Sequence, residues 1–283
     1  MRVLVTGAAG RLGSRVVEVL NGRGHTALPA DVPEFDIADF AATRAWIAAA
    51  QPDFVLHPAA WTDVDGCARE PDKAITINGL GAGNVAAAAA DLGTPILYVS
   101  SNEVFDGKAN HPYHEYDRTQ PTNPYGYSKW VGEQAVVGVN PRHMIARTSW
   151  LFAHGGKNFI QTMLGAAAAG KTLRVVVNEI ACPTYNDDLA SALVSLMESG
   201  RWGVYHMVNE GYCSRYDFAR YVLDHAGYAD TPIERITSHA WARPSTPPEF
   251  TPLTNLAGKI LGVQLRPWQA AVDAFLAKEG LLR

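Results

Sequence analysis

Thr6-Gly7-Ala8-Ala9-Gly10-Arg11-Leu12-Gly13 decides how this chain is read. It follows Val3-Leu4-Val5, a run that is apolar throughout rather than alternating, as in a strand buried on both faces. Beyond it, Leu12, Val16, Val19 and Leu20 recur at helical spacing until Gly22 and Gly24 end the segment. Glycines at every third position suit a tight strand-to-helix turn, and without Cβ atoms they let the backbone approach a pyrophosphate. The helix beyond offers free N–H groups and its positive dipole end to that anion. A turn between a first strand and a first helix is where dinucleotide binding needs one. Gly7, Gly10, Arg11, Leu12 and Gly13 are the expected phosphate cradle.

Outward from this turn the same alternation repeats. Thr26–Ala30 reads as a second strand and Phe40–Ala50 as a helix. Phe54-Val55-Leu56 is a third strand, residues 75–92 a longer helix, and Ile96-Leu97-Tyr98-Val99 a fourth strand. That order predicts an α/β fold, a Rossmann-like doubly wound parallel sheet. After about Trp150 the rhythm loosens. Helical stretches at 159–169, 189–198 and 216–225 mix with strands at 173–177 and 204–208. A proline-rich passage, Arg243-Pro244-Ser245-Thr246-Pro247-Pro248, is too irregular for a core element, and a closing helix at 266–278 starts at Pro267. The expected division is a cofactor-binding domain over residues 1–150 and a smaller C-terminal substrate-binding domain over 151–283, with some later strands returning to the first.

Composition bounds the answer. The chain has 283 residues, enough for one large domain or two intimate ones at roughly 100–200 residues each. Hydrophobic residues make up 47% and charged residues 18%, which argues against long disorder. A formal charge of 24 − 28 = −4 gives no reason to expect nucleic acid or anionic membranes as partners. No apolar run reaches the ~18 residues of a membrane span. Met1 leads directly into a strand, without a signal peptide. Cys67, Cys182 and Cys213 are far apart and form no CxxC pair, which suits a reduced, cytoplasmic protein. No Cys, His or acidic spacing forms a metal motif, so no metal is expected. A homodimer is the default closed assembly.

Asp31 ends the second strand, 18 residues past Gly13, where a carboxylate can accept hydrogen bonds from the adenosine ribose. It would repel a 2′-phosphate and favour NADH, whereas Arg11 could neutralise that phosphate and favour NADPH. Asp36 and Ile37 can flank the adenine, but Asp36 or Asp39 can equally cap the Phe40–Ala50 helix.

Tyr125-Gly126-Tyr127-Ser128-Lys129 carries the strongest chemical signal. Tyr125 and Lys129, four apart, share one helix face, and Tyr127 points elsewhere. A nearby ammonium lowers a tyrosine's pKa and lets it exchange a proton with a substrate oxygen. Ser101 stands at the carboxyl end of the fourth strand, where open α/β sheets place ligands, and could donate a hydrogen bond to the reacting oxygen.

Together, Thr-Gly-x-x-Gly-x-x-Gly, the upstream serine and Tyr-x-x-x-Lys resemble the extended short-chain dehydrogenase/reductase family. Further stretches resemble the dTDP-4-dehydrorhamnose reductase family within it. They are Ala59-Ala60-Trp61-Thr62, the run from Ser100 to Gly107, Pro124 with the Tyr-Gly-Tyr-Ser-Lys segment, and Arg147-Thr148-Ser149-Trp150. Gly156-Lys157-Asn158-Phe159 and Cys182-Pro183-Thr184-Tyr185 continue the likeness. The resemblance implies hydride delivery from NADH or NADPH to the C4 keto group of a nucleotide-linked deoxysugar. It implies Tyr125 as proton donor, Lys129 as its partner on the nicotinamide ribose, and Ser101 polarising the carbonyl. It adds Ala59, Ala60 and Trp61 to the cofactor lining, and Ser101, Asn102 and Trp150 to the sugar nucleotide. Trp150 can equally be a core aromatic. Two positions depart from the pattern: Asn102-Glu103 stands where Asp-Tyr is usual, and His57-Pro58 where Asn-Ala is common. The former brings in sugar-nucleotide 4,6-dehydratases, which carry Asp-Glu there, but Asn102 cannot trade the proton that elimination needs. The same motifs also suit an epimerase or a non-catalytic nucleotide-binding subunit.

Overall fold

Val3 and Val5 of β1 (Arg2–Thr6) enter one apolar core and Leu4 enters another. Successive side chains of a strand point to opposite faces, so this split puts β1 in the middle of a sheet covered on both sides. The structure is a computed structural model that describes residues 1–156, 158–240 and 242–283. Among these residues, six strands form one sheet. They are β1, β2 (Thr26–Ala30), β3 (Phe54–His57), β4 (Ile96–Ser101), β5 (His143–Thr148) and β6 (Gly203–His206), in the order β6-β5-β4-β3-β1-β2. Every pairing is parallel. Pro29 lies in β2, the edge strand, where a missing N–H costs no ladder bond.

The strand order reverses between β1 and β3, and a doubly wound sheet opens its ligand crevice at that point, beyond the carboxyl ends of the strands. On one face pack α1 (Arg11–Gly22), through Val16 and Leu20, and a later helix, Asn186–Ser199. On the other lie α2 (Phe40–Ala50), α3 (Gly81–Asp91) and α4 (Pro124–Val139). Asp39 caps α2, accepting from the Ala42 N–H at 3.0 Å, while Asp36 closes a local turn on the Ala38 N–H at 2.9 Å.

Residues 75–92 are not one regular helix. A π-helical segment, Ile75–Leu80, precedes α3. The wider turn brings the buried Asn78 side chain to Trp61, accepting from its N–H at 2.7 Å and donating to its carbonyl at 3.0 Å. Asn78 also donates to Ser128 Oγ at 3.0 Å. One side chain thus ties the loop after β3 to helix α4, and such bulges often serve functional sites.

The second half is divided. The helix Asn186–Ser199 and strand β6 join the sheet layers, β6 pairing with β5. The helices Phe159–Ala168, Arg215–His225 and Trp268–Lys278 gather around a separate core of Phe152, Ile160, Phe218 and Phe275. The strand Leu173–Val176 pairs in parallel with Ile233–Ile236 beside them. Among the described residues, no helix is long and apolar enough to cross a membrane.

Candidate active site

A cleft of about 970 Å³ opens over the β1/β3 switch point. At its floor Gly7 sits at φ +59°, and a Cβ there would lie 2.9 Å from Ala59 Cα. The chain needs glycine both for that conformation and for the contact between the β1 and β3 ends. Gly10 caps α1 without a side-chain hydrogen bond, and the first turn carries no acidic residue. The helix therefore presents its first N–H groups and positive end to the cleft, the arrangement a phosphate needs. Arg11, Leu12 and Gly13 line the same wall, and Asn186 Nδ2 holds the Arg11 carbonyl at 2.9 Å. This geometry fits a dinucleotide.

Asp31 lines the cleft and braces the turn, accepting from the Ala9 N–H at 2.7 Å and the Val32 N–H at 2.8 Å. Asp36 and Ile37 border the same end. Ala59, Ala60 and Trp61 form the opposite strip, with the Lys73 ammonium 4.6 Å from the centre of the Trp61 ring. Among these residues, sequence reasoning passes over Lys73 and Asn186, which lie outside the local motifs.

Toward the other end come Ser101 and Asn102 from the end of β4, Tyr125 and Lys129 from the first turns of α4, and Trp150 beyond β5. Asn123 caps α4 by accepting from the Gly126 N–H at 2.8 Å, and Pro124 takes the first helical position. The Asn123 amide donates to Glu103 Oε2 at 2.6 Å. Gly126 lets the helix start abut Glu103, since a Cβ there would lie 2.8 Å from the Glu103 carbonyl carbon. Tyr127 faces outward against Trp130.

The electrostatics differ from the expectation at Tyr125. Burial pushes its pKa up and the nearby Glu103 carboxylate pushes it further, while hydrogen bonding with Ser101 works the other way. The Lys129 ammonium lies 4.2 Å from the centre of the Tyr98 ring, and burial lowers its pKa to about 7 against the pull of Glu133. Tyr125 is thus held as a proton donor at neutral pH rather than primed as a phenolate. His57 is a packed histidine, fully buried, stacked on Tyr98 and bonded through Nδ1 to Thr6 Oγ1 at 2.6 Å. Burial, then the Lys129 charge, lowers its pKa to about 3, so it stays neutral.

Asn102 is buried, donating to Thr251 Oγ1 at 2.7 Å and accepting from Ser101 Oγ at 3.3 Å. Trp150 is half-buried, with a left-handed backbone at φ +41°, a costly conformation for a bulky residue and one that clusters at functional sites. The Arg215 guanidinium lies 3.5 Å from the centre of its ring and pairs with Glu179 at 3.6 Å. Arg243 pairs with Asp65 at 2.9 Å and the Ser245 N–H donates to the same carboxylate at 3.1 Å, which fastens the proline-rich passage beside Glu103, Trp150 and Arg215. Burial raises the pKa of Glu103, which also lines the cleft. Arg215 and Glu179 carry no sequence motif, and only the fold brings them to Trp150. Lys157, within one of the resembling stretches, lies outside the described residues.

Comparison with known proteins gives the same direction. The family described as RmlD substrate binding domain matches residues 1–280. The spore coat polysaccharide biosynthesis protein SpsK of Bacillus subtilis is 37% identical over 275 residues, 97% of this chain and 96% of that one. A dTDP-4-dehydrorhamnose reductase of Mycolicibacterium smegmatis is 34% identical over 284 residues, covering 99% of this chain and 86% of that one. The solved structure of the dTDP-4-dehydrorhamnose reductase of Bacillus anthracis in complex with NADP superposes with a TM-score of 0.92 at 31% identity, covering 98% of this chain and 99% of that one.

Proposed function

The chain belongs to the family described as RmlD substrate binding domain, and from that premise we propose that it is an NAD(P)H-dependent reductase of a nucleotide-activated 4-keto-deoxysugar. The substrate class is the one its reductase relatives are named for. The observation that carries the reading is the convergence of the glycine turn with Ser101, Tyr125 and Lys129 in one cleft.

When bound, the nicotinamide cofactor supplies the hydride that adds to C4 of the sugar. Gly7, Gly10, Arg11, Leu12 and Gly13 would hold its pyrophosphate, Asp31, Asp36 and Ile37 its adenosine end, and Ala59, Ala60 and Trp61 its middle. Ser101 turns its hydroxyl proton from Asn102 Oδ1 to the keto oxygen and polarises it. Tyr125, which burial keeps protonated at neutral pH, gives that oxygen its proton as the carbonyl becomes an alcohol. Lys129 would hold the nicotinamide ribose from its place over the Tyr98 ring. Trp150, braced by Arg215, forms a wall for the sugar nucleotide beside Asn102.

The Asn102 carboxamide carries no proton that titrates near neutral pH and so offers no acid or base for water elimination, which favours reduction over dehydration. We further propose a cofactor part of residues 1–150 joined by 186–206, with the remainder binding substrate. A cytoplasmic location is supported by three buried free thiols, and a homodimer is proposed as the commonest closed assembly, to be measured by light scattering.

The test mixes the protein with NADPH or NADH and dTDP-4-keto-6-deoxysugars and follows the near-ultraviolet absorbance of the reduced nicotinamide. Oxidation with a keto sugar is expected. Cofactor binding without oxidation by any such sugar overturns the reading in favour of a non-catalytic subunit, and conversion of the sugar without net oxidation points to an epimerase.

A further inference from the structure

The linear spacing offers no metal motif, yet the loop between Ser101 and α4 brings two imidazoles and a carboxylate together outside the cleft. His111, His114 and Asp117 each present a ligating atom, all within 4.8 Å of one another. His111 Nε2 lies 3.4 Å from Asp117 Oδ2. In a tetrahedral site with Zn–N and Zn–O bonds near 2.0–2.2 Å, neighbouring ligand atoms stand about 3.3–3.6 Å apart. One pair is already at that spacing, and the others lie within 4.8 Å.

The backbone beneath these residues is anchored. Tyr113, between the two histidines, is buried and stacks on Phe105 with ring centres 4.2 Å apart. Its N–H donates to the Pro252 carbonyl at 2.8 Å, its carbonyl accepts from the Thr254 N–H at 2.8 Å, and its hydroxyl donates to Asp106 at 2.7 Å. Glu115 turns inward, where it accepts from the Leu256 and Ala257 N–H groups at 2.9 and 3.0 Å. Every third side chain, at 111, 114 and 117, therefore meets on the outer side of an ordered turn. The His114 N–H donates to Asp117 Oδ2 at 2.7 Å and closes that turn. Binding a cation has little chain to order.

The supporting contact at His111 suits coordination as well. Its Nδ1 lies 3.2 Å from Asn110 Oδ1, which would accept the ring proton from Nδ1 and leave Nε2, on the Asp117 side, to bind a cation. Two neutral imidazoles and one carboxylate are the donor set of borderline divalent metals, whereas Mg2+ and Ca2+ prefer oxygen alone. We propose that His111, His114 and Asp117 form a site for a divalent transition cation of the Zn2+ class, with water completing its coordination.

The untagged chain, stripped with a chelator and desalted, is titrated with CoCl2 and read by visible absorption, then with ZnCl2 by calorimetry. The expected result is a tetrahedral Co2+ spectrum at one equivalent that Zn2+ abolishes. The H111A/H114A double variant should lose the spectrum and bind at least about tenfold more weakly. It should bind NADPH as the parent does, since neither histidine lines the cleft. Single histidine–carboxylate pairs elsewhere, His25 with Glu198 and His225 with Asp273, remain in that variant and set the baseline. Asp117→Asn supplies the same comparison should the double variant fold poorly. No Co2+ spectrum in the parent, or the same spectrum and affinity in both variants, overturns the proposal.

Discussion

Replacing Gly126 by alanine tests whether backbone fit positions Tyr125, the proposed proton donor. A Cβ at this position would overlap the Glu103 carbonyl oxygen, with the carbonyl carbon at 2.8 Å and Glu103 Cβ at 3.2 Å, whereas ordinary contact begins at 3.4 Å. Restoring the carbon alone takes 3.4 − 2.8 = 0.6 Å, and the oxygen needs more. Neither side yields easily. The carbonyl belongs to the short turn Asn102–Val104 that follows β4, and its Glu103 side chain is held by Asn123, the residue that caps α4. The strand end carrying Ser101 and the helix start carrying Tyr125 must then separate by roughly 1 Å, and a misplacement of that size costs about 10²-fold in rate. Overpacking of this kind also costs about 1–3 kcal/mol of stability.

Three measurements separate these effects. Turnover follows from nicotinamide absorbance, cofactor affinity from its fluorescence, and stability from urea unfolding. The G126A variant should lose kcat by about 10²-fold while cofactor affinity changes far less, because the glycine turn and Asp31 are untouched. A variant that is destabilised as expected but keeps kcat within about threefold of the parent would refute the reasoning, since Tyr125 would then reach its working position despite the displacement.

Tyr125→Phe should lower kcat by about 10²–10⁴-fold with cofactor affinity preserved; near-normal turnover by the same absorbance assay contradicts its role as proton donor. Lys129 is an ammonium below its pKa of about 7 and loses that charge as pH rises through it. NADPH affinity should therefore fall between pH about 6 and 8.5, by roughly tenfold for one lost charged hydrogen bond, and Lys129→Met should flatten the dependence in fluorescence titrations. Asp31→Asn removes a charge that opposes a 2′-phosphate and should shift the NADPH-to-NADH affinity ratio upward by about fivefold, roughly 1 kcal/mol of screened repulsion, as calorimetry with both cofactors would report. Glu133 and Arg147 form a buried bidentate pair, both contacts at 2.8 Å, and Glu133→Gln should cost about 3 kcal/mol in urea unfolding by leaving the guanidinium unpaired.

What the sequence made legible was local. The glycine turn, the shared face of Tyr125 and Lys129, and the apolar run of β1 are patterns within a few residues, set by helix and strand periods. The parallel sheet followed from their alternation. Two features did not follow. The π segment at Ile75–Leu80 answers to Asn78, whose partners Trp61 and Ser128 are distant in sequence. The pKa of Tyr125 depends on Glu103, which joins it only when the end of β4 meets the start of α4. The +4 spacing implied that Lys129 governs the tyrosine, but a shared helix face does not fix where a long ammonium side chain ends, and Tyr98 offers it an aromatic surface.

The two ends of the cleft rest on different chemistry, and that explains why one was readable and the other less so. At the cofactor end the decisive groups are backbone: the turn, the open N-terminus of α1, and amides fixed by Asp31. Backbone recognition leaves its mark as missing side chains, and glycines are visible in any sequence. At the substrate end the walls are side chains from separate segments. Trp150 is held by Arg215, Arg215 by Glu179, and Asn102 by Thr251. The members of each pair meet only in the folded chain, so no local spacing announces them. On the proposed reading, reduction draws on Ser101, Tyr125 and Lys129, and the choice of sugar nucleotide on the walls around Trp150. Substitutions at Arg215 are then expected to act on that choice, and those at Gly7 or Asp31 on every substrate alike.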